Sequence, residues 1–179
     1  MGKGDAGLNA FLLMLPLFFI RFGLLRLVDE AALGRAAFFA PLAGGEKTAY
    51  LFYQLANGVL LVYPLFLKVR TAAPLFWPGV FVYLAGIGIL AVSAVSFAKP
   101  GQSGLNTGGI YRFSRNPMYV GYFLYYLGCA ALARSLPLLA ALLVFQVAAH
   151  WIILSEERWC LQKFGEEYRR YMQRVRRYF

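Results

Sequence analysis

The 179-residue chain contains two cysteines, one histidine and only eight acidic residues. Cys129 and Cys160 form no C-x-x-C pair, so nothing points to a disulfide or a zinc site. With His150 alone and no clustered cysteine, the chain also lacks a ligand set for a transition metal, and no metal is expected. Charged residues make up 15% of the chain, against 60% hydrophobic and 17% aromatic, which excludes an ordinary soluble domain. No basic region precedes a cleavable apolar run, so the first apolar stretch reads as a span rather than a signal peptide. Residues 1–6 lack Ser or Thr at position 6, which speaks against myristoylation.

What is present is apolar length. A hydrocarbon core of about 30 Å needs about 20 apolar residues of helix. Five segments approach that: 8–28, 49–67, 78–98, 118–133 and 136–154, the fourth being short. The expected fold is all-α, a polytopic membrane protein of about five transmembrane helices plus a C-terminal amphipathic interfacial helix. It reads as one membrane domain over 1–179, with N-terminal helices to 98 and a signature region over 99–179.

The formal net charge of +10 raises the question of nucleic acid, and its distribution argues against that partner. If the C-terminus is cytoplasmic, the loops 29–48 and 99–117 and the tail from Arg158 hold 12 of the 18 Lys and Arg residues. The opposite side holds Lys3, Lys68, Arg70 and Arg134, while Arg21 and Arg26 lie within the first span. This asymmetry follows the positive-inside rule and suits contact with anionic lipid. Arg26 can snorkel to the headgroups, but Arg21 is deeper and needs a partner, a polar cavity or a substrate.

Along the chain, residues 31–40 are expected to form a short interfacial helix. The tight segment 71–78 predicts an antiparallel hairpin of the second and third spans. Gly79, Gly86 and Gly88 thin the third span for helix contact and form no phosphate loop. The 99–117 stretch is polar and glycine-rich, and its backbone needs water, protein or ligand as partner. In the tail, Leu161, Phe164, Tyr168, Tyr171 or Met172, Val175 and Phe179 recur at three and four, giving a basic amphipathic helix that Gly165 is expected to kink or break.

Two clusters carry chemistry. In Arg115-Asn116-Pro117-Met118-Tyr119, Pro117 keeps Asn116 out of helix and can open the fourth span. Such a helix N-terminus offers free N–H groups to a carboxylate, with Arg115 adding a charge-assisted bond; a purely structural helix start would use the same residues. Glu156 and Glu157 follow the fifth apolar run. At a helix C-terminus they oppose the dipole and call for a cation such as Arg112 or Arg115, unless they are a solvated pair. His150 shares a face with Glu157 and is either a general base or a hydrogen-bonded intramembrane histidine.

Together, Gly109 to Gly121 and Glu156-Glu157-Arg158 resemble the signature of integral-membrane methyltransferases related to isoprenylcysteine carboxyl methyltransferase and the phospholipid methyltransferases. The resemblance covers about residues 96–171. It implies S-adenosylmethionine as cofactor, enclosed by Tyr111, Arg115, Asn116, Pro117, Met118, Tyr119, Glu156 and Glu157. It also implies that Ser103, Gly104, Leu105 and Asn106 line the same pocket and that 164–168 belongs to the family's C-terminal helix. The catalytic candidates are His150 and Arg115. Asn116 stands where prenylcysteine enzymes have His, and Ile152 where they have an Arg for the substrate carboxylate. The implied acceptor is therefore a phospholipid amine or a small thiol before a prenylcysteine carboxylate, unless another cation such as Arg21 substitutes for that Arg, with Tyr122, Phe123, Tyr125, Tyr126 and Trp151 as candidate walls of its route. Two alternatives stand beside it: an NADPH-dependent enzyme resembling sterol reductases, and a non-catalytic membrane scaffold. Membrane lipid is an expected partner, and the sequence indicates no oligomeric state.

Overall fold

A computed structural model describes residues 7–72 and 74–178. The myristoylation reading on residues 1–6, Lys3 and Phe179 lie outside the described residues. Helix α1 spans Ala10–Val28 and is irregular: a 3-10 turn over Ala10–Met14, α-helix over Leu15–Phe18, a π-helical segment over Phe19–Leu24, then α-helix over Leu25–Val28. Helix α2 is Glu30–Ala37, where the Asp29 side chain accepts from the Ala31 N–H at 3.0 Å and so caps its start. Helix α3 covers Glu46–Val62 and runs on as a 3-10 turn over Tyr63–Phe66. Helix α4 is Phe76–Ala98, α5 is Pro117–Ala133, α6 is Leu136–Phe164 and α7 is Glu166–Arg174.

Four of these are long and apolar enough to cross a membrane: Ala10–Val28, Glu46–Phe66, Phe76–Ala98 and Leu136–Phe164. Helix α5 is a shorter apolar helix of 17 residues, about 25 Å long at 1.5 Å per residue. Among the described residues there is no strand; the one isolated β-bridge, Asn9 with Lys68, ties the start of α1 to the chain leaving α3.

The α4–α5 interface is the most extensive in the molecule and depends on glycine. A Cβ on Gly86 would fall on the backbone nitrogen of Tyr125, and one on Gly128 would come within 2.5 Å of the backbone nitrogen of Tyr83. The two backbones therefore touch, as small residues permit between membrane helices. Gly79 also packs on α5, against Ala131 and Leu132. Gly88 does not belong to that face: it is exposed with nothing near it. Near the start of α1 the Leu13 carbonyl accepts from Tyr83 (2.8 Å) and Tyr125 (2.6 Å), joining α1 to both helices.

Two expectations are corrected. The second and third spans, α3 and α4, share no substantial interface. Instead α3 packs on α6, where Tyr53 stacks on Phe145 with ring centroids 4.7 Å apart, while glycine draws α4 to α5. Nor do Glu156 and Glu157 end a helix. Helix α6 has 29 residues, about 43 Å, and continues to Phe164, so the pair lies inside it and does not oppose its dipole terminus. The break comes at Gly165, whose φ of 52° is in the left-handed region that favours glycine. Helix α7 then turns back beneath the 99–116 loop.

Candidate functional site

The 99–116 loop, the 34–40 segment and the end of α6 with α7 meet at one end of the bundle and enclose a cavity of about 560 Å³. That volume is within the range of small-molecule sites, about 300–1,000 Å³. Its wall includes Gly104, Leu105, Asn106, Tyr111, Arg115, Asn116, Met118, Tyr119, Glu156 and Glu157. Residues some fifty apart in sequence are thus brought together. Ser103, Pro117 and His150 are not in the wall. Ser103 donates to Glu167 at 2.8 Å and so ties the loop to α7, and Pro117 is buried as the first residue of α5.

The loop is held by its own turns and by the tail. Gly104 (φ 86°) and Gly109 (φ 56°) take left-handed conformations, and a Cβ on Gly109 would strike the Ser96 hydroxyl. Leu105 is buried against Tyr168 and Tyr171. The Tyr171 hydroxyl donates to the Tyr111 carbonyl at 2.6 Å. Burial pushes the hydroxyls of Tyr111, Tyr168 and Tyr171 far above the ordinary tyrosine range, so all three stay neutral donors. Beyond α7 the chain returns as a strap: the Arg115 N–H donates to the Arg176 carbonyl (2.9 Å), and Ser114 Oγ (3.3 Å) and Asn116 Nδ2 (3.1 Å) donate to the Arg177 carbonyl.

The two adjacent glutamates have different surroundings. Glu157 is buried between two guanidiniums. Arg115 donates to its Oε1 from Nε (3.1 Å) and Nη2 (2.7 Å), and Arg177 donates to its Oε2 from Nη2 at 2.8 Å. Arg115 spends Nη1 on the carbonyls of Met172 (3.1 Å) and Val175 (2.7 Å). The proximity of Glu157 holds the Arg177 guanidinium above its ordinary pKa. Arg115 therefore clamps loop, helix and strap together, with its donors turned to protein. Arg112, the other candidate partner, is exposed and pairs with neither glutamate. Glu156 accepts one bond, from the Tyr119 hydroxyl at 3.1 Å, and no Lys or Arg pairs with it among the described residues. Asn106 contributes a buried side-chain oxygen without a hydrogen-bond partner among the described residues. Glu156 thus lines the cavity without a cation, and Asn106 lines it with a side-chain oxygen that no donor among the described residues reaches.

His150 lies outside the cavity, its Nδ1 2.9 Å from the Tyr178 hydroxyl. Among the aromatic residues expected along an acceptor route, Tyr122 lines the cavity. Tyr125 and Tyr126 are fully buried in helix packing, and Trp151 is exposed on the bundle's outer face.

Several wall residues carry no sequence signal of their own. Gly34, Ala36, Phe38 and Phe39 close the side opposite α5. Their segment is held by Arg158, which pairs with Glu46 (2.6 Å) and donates to the Pro41 carbonyl (3.0 Å), and by the Phe38 ring against Trp159. Lys163 lies 4.6 Å over the Trp159 ring at the rim. Arg177 is one of several basic residues of the tail, and only folding shows which arginine there reaches Glu157.

No curated protein and no solved structure matches the chain. A family model described as phospholipid methyltransferase matches residues 67–167, more than half of the chain, from the turn after α3 into α7 and across the whole loop. The helices, the loop with its Asn-Pro helix start, the glutamate pair in α6 and this match lead to one assignment: the chain is a membrane protein of the phospholipid methyltransferase family.

Proposed function

We propose that this protein transfers a methyl group from S-adenosylmethionine to a lipophilic acceptor at the cytoplasmic face of the membrane. The observation that carries the reading is the cavity in which Glu156, without a cation, and Asn106, with an unpartnered oxygen, share a wall with aromatic side chains. This donor-seeking pair fits the cofactor, whose ammonium, sulfonium, ribose hydroxyls and adenine amine are donors or cations. When bound, the cofactor supplies a methyl group already activated by its sulfonium. Glu156 would hold a cationic part of it, Tyr119 orients that carboxylate, and Lys163 at the rim offers a charge to an acidic part. Glu157, Arg115 and Arg177 keep loop, helix and strap in register. The remaining task is to position the nucleophile and exclude water, and positioning alone supplies a large share of such rate enhancements.

The basic loops and tail surround the cavity end, and by the positive-inside rule this supports a cytoplasmic site. For the acceptor, a phospholipid amine leads, followed by a small thiol. A prenylcysteine carboxylate ranks third, since Ile152 is fully buried and offers no cation.

Calorimetric titration of S-adenosylhomocysteine into the detergent-purified protein tests the reading. Wild type should bind saturably. Glu156→Gln should weaken binding about 10- to 150-fold, the equivalent of a charged hydrogen bond of about 1.5–3 kcal/mol, with the melting temperature unchanged. A folded wild type that binds no S-adenosylhomocysteine overturns the proposal, and saturable NADPH binding would favour the reductase alternative.

A further inference from the structure

The first span carries a charge that the glutamate pair and its clamp do not use. Arg21 lies in α1, upstream of the family-matched segment 67–167, inside the π-helical stretch Phe19–Leu24. There the Leu25 N–H bonds the Ile20 carbonyl, five residues back, which shifts the helix register beside Arg21. The guanidinium donates to the Ala36 carbonyl at 2.8 Å and more weakly to the Tyr122 hydroxyl at 3.3 Å. It forms no ion pair among the described residues, whereas Arg26, Arg35, Arg115, Arg158 and Arg177 each meet a carboxylate. A guanidinium has five N–H donors. With two engaged, three have no protein acceptor among the described residues.

Arg21 also lines the cavity, at a different depth from Glu156. On α5 the residue that meets Glu156 is Tyr119 and the one that meets Arg21 is Tyr122, three positions further in, or about 4.5 Å along the helix. The cavity therefore holds Glu156 nearer the loop and the Arg21 guanidinium, beside Tyr122, deeper in the bundle. An intramembrane cation without a counter-charge marks a ligand site by default, and the guanidinium fork matches the oxygens of a phosphate or a carboxylate.

We infer that Arg21 is the anchor for an acidic group on the lipophilic acceptor, a phosphodiester or a carboxylate, and that it determines which acceptors are accepted. The inference rests on the methyl-transfer reading for the term acceptor; the oxyanion site itself stands on Arg21 and the cavity. The cofactor is held nearer the loop, and the acid group deeper in the bundle sets how the acceptor's nucleophile faces it. Arg21 is thus a positioning residue, and it does not react.

Native mass spectrometry of the full chain in mixed micelles tests this, with dioleoylphosphatidylethanolamine, N-acetyl-S-farnesylcysteine and oleylamine as probes. Oleylamine has the chain and the amine without an acid. Wild type should bind one of the two acidic probes at least about tenfold tighter than oleylamine, and whichever it prefers identifies the source of the oxyanion. Arg21→Gln should abolish that preference, Arg21→Lys should keep an intermediate one, and S-adenosylhomocysteine affinity should be the same in all three. Dioleoylphosphatidic acid, tested on wild type alone, should compete with the preferred probe whether or not the variants fold. An unchanged acid preference in Arg21→Gln, loss of S-adenosylhomocysteine affinity in its place, or failure of the wild-type competition overturns the inference. Wild type that binds the acidic probe by Arg21 and no S-adenosylhomocysteine overturns the methyl-transfer reading and leaves the oxyanion anchor standing.

Discussion

Replacing Glu157 by glutamine tests the electrostatic frame of the cavity. The substitution keeps shape and removes one charge from a cluster in which the Arg115 side chain is 8% exposed and that of Glu157 6%. Removing one partner of a buried ion pair costs about 3–5 kcal/mol, because the remaining charge is left unpaired. Here two facts hold the cost to the lower end. Arg115 keeps the carbonyls of Met172 and Val175, and Arg177, at 31% exposed, regains water. The expected destabilisation is about 3 kcal/mol, or roughly 6–12 °C in melting temperature for a chain of this size. Thermal unfolding in detergent reads the magnitude, and limited proteolysis reads the place: cleavage should accelerate after Arg174, where the strap loses its hold. Glu156→Gln is the internal control, one residue away and without a cation. A Glu157→Gln melting temperature within about 2 °C of wild type, with the tail as resistant as before, would refute the clamp.

Two further substitutions follow from the packing. Gly86→Ala places a methyl group on the Tyr125 backbone and should destabilise by about 3 kcal/mol, while Gly88→Ala should stay within about 1 kcal/mol of wild type, both read by thermal unfolding. His150→Gln should leave S-adenosylhomocysteine affinity within about twofold and expose the tail to protease, because the ring faces Tyr178 and not the cavity. A large loss of affinity in this variant would return His150 to the site.

Apolar length located four of the five helices to within a few residues, and the one clear misplacement, the end of the fifth apolar run, has a physical cause. Hydropathy falls at Glu156 although the helix continues, because Glu157 is neutralised by Arg115 and Arg177 and costs the helix little. The polar loop and the glutamate pair were joined in the sequence by the family resemblance, since residue chemistry alone left a structural helix start and a solvated pair open; the fold brings both into one cavity wall. Arg115 was legible as a cation for the glutamate pair, which it is for Glu157, but its hold on the strap was not, since its partners there are backbone carbonyls, which no side-chain pattern announces. The 34–40 wall was legible only as a short interfacial helix, because its contribution is shape. Helix pairing was misread for a related reason: a short connection suggests neighbours, yet Gly86 and Gly128 choose α5 as the partner of α4.

Backbone contact between α4 and α5 has a consequence for the loop that joins them. Both ends of the 99–116 segment emerge from helices that cannot separate or slide without breaking the glycine seam, so its span is fixed before any ligand arrives. A ligand meeting such a loop forfeits little affinity to ordering it. The opposite wall, from Gly34 to Ala40, is secured by side chains alone: Arg21 and Arg35 to carbonyls, Arg158 to Pro41. Affinity is thus preorganised on one side of the cavity, and compliance is concentrated on the other.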